Sequence, residues 1–145
     1  MKPFAAKPAP VLVSDSVAGL PFDFSNNEFG PSLGNLRLTE ATNRFRIEMN
    51  VARQEKVQGA SDHALVIVSV DDTENRRNKA YVNFKLNETP ATNCCNSHEY
   101  SYTANVVGDF AAGDKVSIYV WNQKKQNFYL EKLAARLYDY NYNLN

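Results

Sequence analysis

Cys94 and Cys95 stand side by side in a polar stretch, Thr92 to Ser97, with His98 just beyond it. A thiolate next to an imidazole is the pairing that makes a nucleophile, and Cys and His are also zinc ligands. Neither chemistry is complete here. Nucleophilic catalysis needs preorganised donors around the reacting group, and a single polar loop supplies none. A structural zinc site takes four ligands, and His63 is the one other His in the chain. Adjacent cysteines close only a strained ring, so the stretch reads as a loop with two free thiols rather than a disulfide. A second cluster, Asp71, Asp72 and Glu74, carries the carboxylates that calcium favours. Calcium wants about six to eight oxygens, however, and Arg76 and Arg77 follow at once, so this reads as a solvated turn. The chain has neither a G-x-S-x-G elbow nor a P-loop. No catalytic residue, metal ligand or cofactor is therefore expected.

The remaining chemistry is recognition. In Lys115-Val-Ser-Ile-Tyr-Val-Trp-Asn122, Val116, Ile118 and Val120 alternate with Ser117, Tyr119 and Trp121. If the aliphatic set faces a core, Tyr119 and Trp121 face outward. In Tyr81-Val-Asn-Phe-Lys-Leu86 the same logic turns Val82, Phe84 and Leu86 inward and Tyr81, Asn83 and Lys85 outward. Flat aromatic faces beside amide and charged groups suit sugar rings, whose C–H faces stack while their hydroxyls take directed hydrogen bonds. The candidate ligand-binding residues are Trp121, Tyr119, Tyr81 and Asn83. Outward aromatics can equally pack beneath an arm such as residues 11–29, so their exposure is the deciding observation.

The elements that must position these residues are strands. Phe45, Ile47, Met49 and Val51 alternate with Arg44, Arg46, Glu48 and Asn50, which predicts a strand with one buried face. Ala64 to Val70 is almost wholly apolar and β-branched, and is expected as a central strand covered on both sides. A polar turn from Asp71 to Asn78 joins it to Tyr81–Leu86 as a hairpin. Glu99 to Val106, Lys115 to Asn122, and Phe128 to Tyr138 complete the pattern. Phe128 to Leu137 has good helix formers and apolar residues three to four apart, and at period two Phe128, Leu130, Leu133 and Leu137 fall out of register unless a bulge intervenes; strand is the reading because every other element is one, with helix the alternative. About seven or eight short strands predict an all-β fold, a two-sheet antiparallel β-sandwich.

At 145 residues the chain is sized for one domain. The reading divides it into an N-terminal arm or linker over residues 1–20, a sandwich over 21–140 and a tail over 141–145, with Val11 to Val13 able to add an edge strand. Lys and Arg total 16 and so do Asp and Glu, giving a net charge of zero. A neutral domain lacks the footprint for a phosphate backbone or an anionic bilayer, so no nucleic-acid partner is expected. No apolar run approaches the ~18 residues of a spanning helix, so this segment is not expected to insert in a membrane. Met1 to Pro10 carries Lys and three Pro where a secretory signal would be continuously apolar.

One stretch carries a resemblance. Ala112-Gly-Asp-Lys-Val-Ser-Ile-Tyr-Val-Trp-Asn122, followed after a Lys-rich turn by Phe128-Tyr-Leu-Glu-Lys-Leu133, resembles the closing hairpin of bacterial galactose-binding-like jelly-roll modules, including carbohydrate-binding modules. Phe22-Asp-Phe-Ser-Asn-Asn-Glu28 is similar to their opening segment. The resemblance implies a jelly-roll topology and a non-catalytic module, extracytoplasmic or at the cell surface as part of a longer chain; a cytosolic protein is the other reading. It implies a glycan partner, the alternative being a structural or protein–protein interaction domain that docks through strand edges and aromatics. Where many such modules place two acids that help bind calcium, this chain has Glu131 and Lys132, which removes a ligand from that site.

Overall fold

The computed structural model describes residues 11–72, 74, 77–86 and 95–139, apart from the side chains of residues 11–13 and 139. Nine strands follow one another: β1 (Val11–Ser16), β2 (Phe22–Asp23), β3 (Leu33–Arg37), β4 (Thr42–Glu55), β5 (Ala64–Asp72), β6 (Arg77–Lys85), β7 (Ser97–Phe110), β8 (Lys115–Asn122) and β9 (Phe128–Asp139). There is no helix among the described residues.

The strands form two sheets in which every pairing is antiparallel. One runs β1-β9-β4-β7 with the short β2 added against β9, and the other runs β3-β8-β5-β6. With the two-residue β2 set aside, the first strand pairs the last, the second pairs the next to last, and so on inward to the β5–β6 hairpin. A chain folded as one long hairpin and rolled onto itself gives this order. It is the jelly roll, an arrangement that deals the successive strand pairs of the hairpin alternately to two facing sheets.

Alternation explains why the two sheets close. Phe45, Ile47, Met49 and Val51 on β4 are buried to the last per cent. They face Val66, Val68 and Val70 of β5 and Val116, Ile118 and Val120 of β8 in one core. Each such side chain contributes about 1.5–3 kcal/mol through removal from water. The last strand keeps its register through a bulge. Ala52 pairs with Lys132 but Arg53 with Leu130, so Glu131 is the extra residue. Phe128 and Leu130 point inward before it, and Leu133, Ala135 and Leu137 after it.

The edge strand that Val11 to Val13 could add is present as β1, paired along β9 from Val11 to Ser16. Three other features go beyond or against what the sequence pattern predicts. β4 runs past its last aliphatic, and its next two inward positions are Arg53 and Glu55, both buried. The Arg53 guanidinium lies 5.4 Å over the Tyr100 ring and the Glu55 carboxylate accepts from Ser61, which is how charges come to sit at that end of the core. β5 is a central strand, but on its outer face Leu65 and Ser69 are only half-buried. Cys95 is disulfide-bonded, against the expectation of a free thiol. Cys94 lies outside the described residues, as do Met1 to Pro10 and the tail over 141–145.

Candidate functional site

The outer face of the β3-β8-β5-β6 sheet gathers all four residues proposed from sequence. Tyr119 on β8 lies across Ile67 of β5 from Asn83 on β6, and Trp121 lies across Leu65 from Lys85. One step along, Ser117 lies across Ser69 from Tyr81. Ile67 points outward yet is fully buried, so the side chains around it form a continuous layer above the sheet. Burial raises the Tyr119 phenol above its ordinary pKa, with Tyr81 and Asp71 adding to the effect. That phenol stays a neutral donor at neutral pH.

A strap from Phe22 to Gly30 crosses the end of this sheet and adds a ring that the sequence reading did not include. Phe29 forms an isolated bridge with Trp121. Its ring lies 6.4 Å from the indole with planes only 9° apart, and 6.0 Å from Tyr119 edge-on. Those separations fall within the range of favourable aromatic pairs. Phe29 is 54% exposed and Tyr81 49%, while Tyr119 and Trp121 are half-buried. The rings are thus neither sunk beneath an arm nor free of it. The strap braces the inner pair and leaves the outer pair to solvent. No periodicity marks Phe29, because it lies outside any named strand and reaches the sheet through tertiary packing alone.

Glu28 also belongs to the site. Its carboxylate accepts the indole N–H of Trp121 at 3.0 Å, and its carbonyl accepts the Asn122 backbone N–H at 2.8 Å. The indole N–H is the only donor of a tryptophan side chain, so Trp121 can meet a ligand with its ring surface but not with its nitrogen. The directed hydrogen bonds on this face fall to Asn83, Ser117 and the two phenols.

Buried groups hold the strap itself. Phe24 stacks on Phe128 at 5.0 Å and meets Phe22 edge-on at 4.9 Å. Asn122, on the inward side of β8, donates its amide to the carbonyls of Phe24, Asn27 and Gln126. Near the start of the strap the Asp23 carboxylate lies 2.7 Å from the Lys56 ammonium. That ammonium, with the Ser25 backbone N–H, lowers the Asp23 pKa from 3.8 to about 2. A depressed folded-state pKa means that the pair's contribution is present above pH 3.8 and is lost as pH falls through about 2. Lys56→Met should move the Asp23 titration back toward 3.8, followed by the carboxyl carbon shift in NMR. An unmoved midpoint would show that the ion pair is not the cause.

The other candidates fall apart in space. Asp71 Oδ1 accepts from the Asn78 amide and Asp72 Oδ1 from the Glu74 backbone N–H, so these acids close a turn. Residues 75 and 76 of that turn lie outside the description. Glu131 is the bulged residue, and Lys132 reaches Glu99 at 3.4 Å. Among the described residues, no group of three or more His, Cys, Asp or Glu could hold a metal. Cys95 sits against the end of β4: its carbonyl accepts the Gln54 amide, and its sulfur lies 3.3 Å from the Lys56 carbonyl. A disulfide sulfur has no proton to give, so the second is a contact and not a hydrogen bond. His98 stacks on Tyr100 at 6.4 Å.

No protein-family model matches this chain, and no curated protein does. Among solved structures, a fructofuranosidase from Schwanniomyces occidentalis complexed with fructosylnystose is similar over 95% of this chain and 36% of its own, at 10% identity and a TM-score of 0.47. The CBM22-1 xylan-binding domain of a Paenibacillus barcinonensis protein is similar over 93% of this chain and 99% of its own, at 13% identity and a TM-score of 0.41. A CocE/NonD family hydrolase from Staphylococcus aureus is similar over 93% of this chain and 32% of its own, at 8% identity and a TM-score of 0.41. The chain spans about a third of the fructofuranosidase and of the hydrolase, and nearly all of the xylan-binding domain. The jelly-roll assignment rests on the strand pairing itself.

Proposed function

We propose that this chain is a non-catalytic, extracytoplasmic module of the galactose-binding-like kind that binds glycan on the outer face of the β3-β8-β5-β6 sheet. The observation that carries the reading is the convergence of Phe29, Tyr81, Tyr119 and Trp121 on one face, with Asn83 of the edge strand β6 beside them to orient a ligand. Tyr81 and Phe29 offer the ring surface on which a sugar's C–H face stacks. The Cys95 disulfide supports an oxidising compartment, where such bonds persist.

Binding to a glycan array and to insoluble polysaccharides tests the proposal. Tyr81→Ala and Phe29→Ala should each weaken retention about tenfold, the equivalent of ~1.4 kcal/mol of stacking. Both side chains are half-exposed, so the melting temperature should hold within a few degrees. Trp121→Ala serves as a control with a larger structural effect, because it also strips Glu28 of its partner. If the wild type retains no glycan, the reading fails. The same exposed aromatic face then favours docking onto a protein partner, the second reading, for which exposed apolar patches are the usual mark.

A further inference from the structure

A depression of about 500 Å³ opens at one end of the sandwich, where the β4–β5 loop, the β8–β9 turn and the strap meet. Asn26, Gln58, Asp62, His63, Gln126 and Asn127 line it. Val57, 56% exposed, supplies an apolar rim. None of the four rings of the aromatic face takes part, so this is a separate place on the molecule.

The loops here are held by groups that are costly to bury. Five polar residues are buried among the described residues, and three of them act at this end. Glu55 accepts both the backbone N–H and the hydroxyl of Ser61, at 2.7 and 2.9 Å, which pins the β4–β5 loop from beneath. Asn122 ties the strap to the β8–β9 turn: its Nδ2 donates to the Asn27 and Gln126 carbonyls, and its Oδ1 accepts the Gln126 N–H. The Lys56 N–H, donated to the Asn127 carbonyl at 3.0 Å, joins the two sides. A buried carboxylate and a buried amide are tolerated only when satisfied, and once satisfied they make the backbone around them rigid. Asn26, Gly59 and Lys125 all line the depression, and all three have φ between 51° and 82°. For Asn26 and Lys125 that left-handed backbone is itself a strain which the surrounding structure must hold.

We infer that this loop-end depression is a second binding site, and that its ligand is a neutral polyol of monosaccharide size. Asn26, Gln58, Gln126 and Asn127 each carry a planar amide that presents a donor and an acceptor side by side. A hydroxyl also donates and accepts, so adjacent hydroxyls on a sugar ring match adjacent amides better than a phosphate or a simple cation does. One carboxylate, Asp62, stands against one ammonium, Lys125, leaving the lining without the excess charge that an ionic ligand requires. Val57 offers an apolar surface for the C–H face of the ring. The volume lies within the range of about 300–1,000 Å³ usual for small-ligand sites, and rigid loops reduce the ordering that binding costs.

The test is an amide-shift titration of the ¹⁵N-labelled full chain with D-glucose, D-galactose, D-xylose and N-acetyl-D-glucosamine separately, to high millimolar concentration. At least one sugar should shift the amides of residues 58–63, 126 and 127 saturably. Gln58→Ala and His63→Ala, at exposed positions, should weaken that response about tenfold, as expected for loss of a ligand hydrogen bond, with melting temperature unchanged. Tyr81→Ala should leave it intact while weakening polysaccharide retention about tenfold, so the two sites fail separately. Absence of saturable shifts at these loops for all four sugars would overturn the proposal, as would a response unaltered in both loop variants.

Discussion

Asn122→Ala should reduce the unfolding free energy by about 3 kcal/mol, because the two amide hydrogens directed at the Phe24, Asn27 and Gln126 carbonyls and the acceptor of the Gln126 N–H are lost at once, and each group left unpaired costs ~1–3 kcal/mol before water relieves part of it. The Asn122 amide is buried and links Phe24, Asn27 and Gln126, segments nearly a hundred residues apart. For a domain of this size the melting temperature should fall by roughly 10 °C. The loss should also appear at the candidate sites, since the amide fixes the strap that carries Asn26 and Phe29. Urea unfolding followed by circular dichroism and by tryptophan fluorescence gives both readouts. The indole sits on the strap's partner strand, so its fluorescence should report early loosening there. A loss below ~1 kcal/mol would mean that water or a shifted Gln126 replaces the amide.

Phe24→Ala should be costlier still, at about 3–5 kcal/mol, the usual range for emptying a buried Phe site. Phe24 is completely buried between Phe22 and Phe128, and its backbone joins the strap to β9 through the Phe128 carbonyl. A Cβ on Gly30 would meet Phe24 Cζ and Phe22 Cε2 at 2.7 Å each, so the rings leave no space there. Gly30→Ala should therefore destabilise by ~1–3 kcal/mol through overpacking. Combined with Phe24→Leu, which frees volume on the same side, it should cost less than the sum of the two single changes. Strict additivity in chemical denaturation would show that the two positions do not share one packing space. Both predictions converge on the strap, the one irregular segment on which the aromatic face and the loop-end depression both depend.

The strap was also the part of the molecule least legible in the sequence. β4, β6 and β8 announce themselves because one face of each meets a core and the other meets solvent, and that difference is written at period two. The outward placement of Tyr81, Asn83, Tyr119 and Trp121 follows from the same alternation, and their meeting on one face needed only that β8, β5 and β6 be neighbours. β3 carries no period-two signal, since its buried residues, Leu33 and Leu36, straddle a register shift and break the alternation. Phe29 and Glu28 act from outside regular strands, where no period exists to reveal them. Ring strain between adjacent cysteines argues for free thiols, yet Cys95 is disulfide-bonded.

What the sequence determined by itself was the strand content, the inward and outward sets on each strand, and the candidate aromatic residues, because these depend on near neighbours along the chain. The closing hairpin from Gly113 to Leu133 also carried the jelly-roll expectation, and the bulge at Glu131 that its register required is present. Tertiary structure alone decided the arrangement in which first and last strands pair, the burial of Arg53, Glu55 and Asn122, and the position of the strap. Those features arise from contacts between residues far apart in the chain, where hydrogen-bond satisfaction and packing space, rather than local pattern, select the outcome.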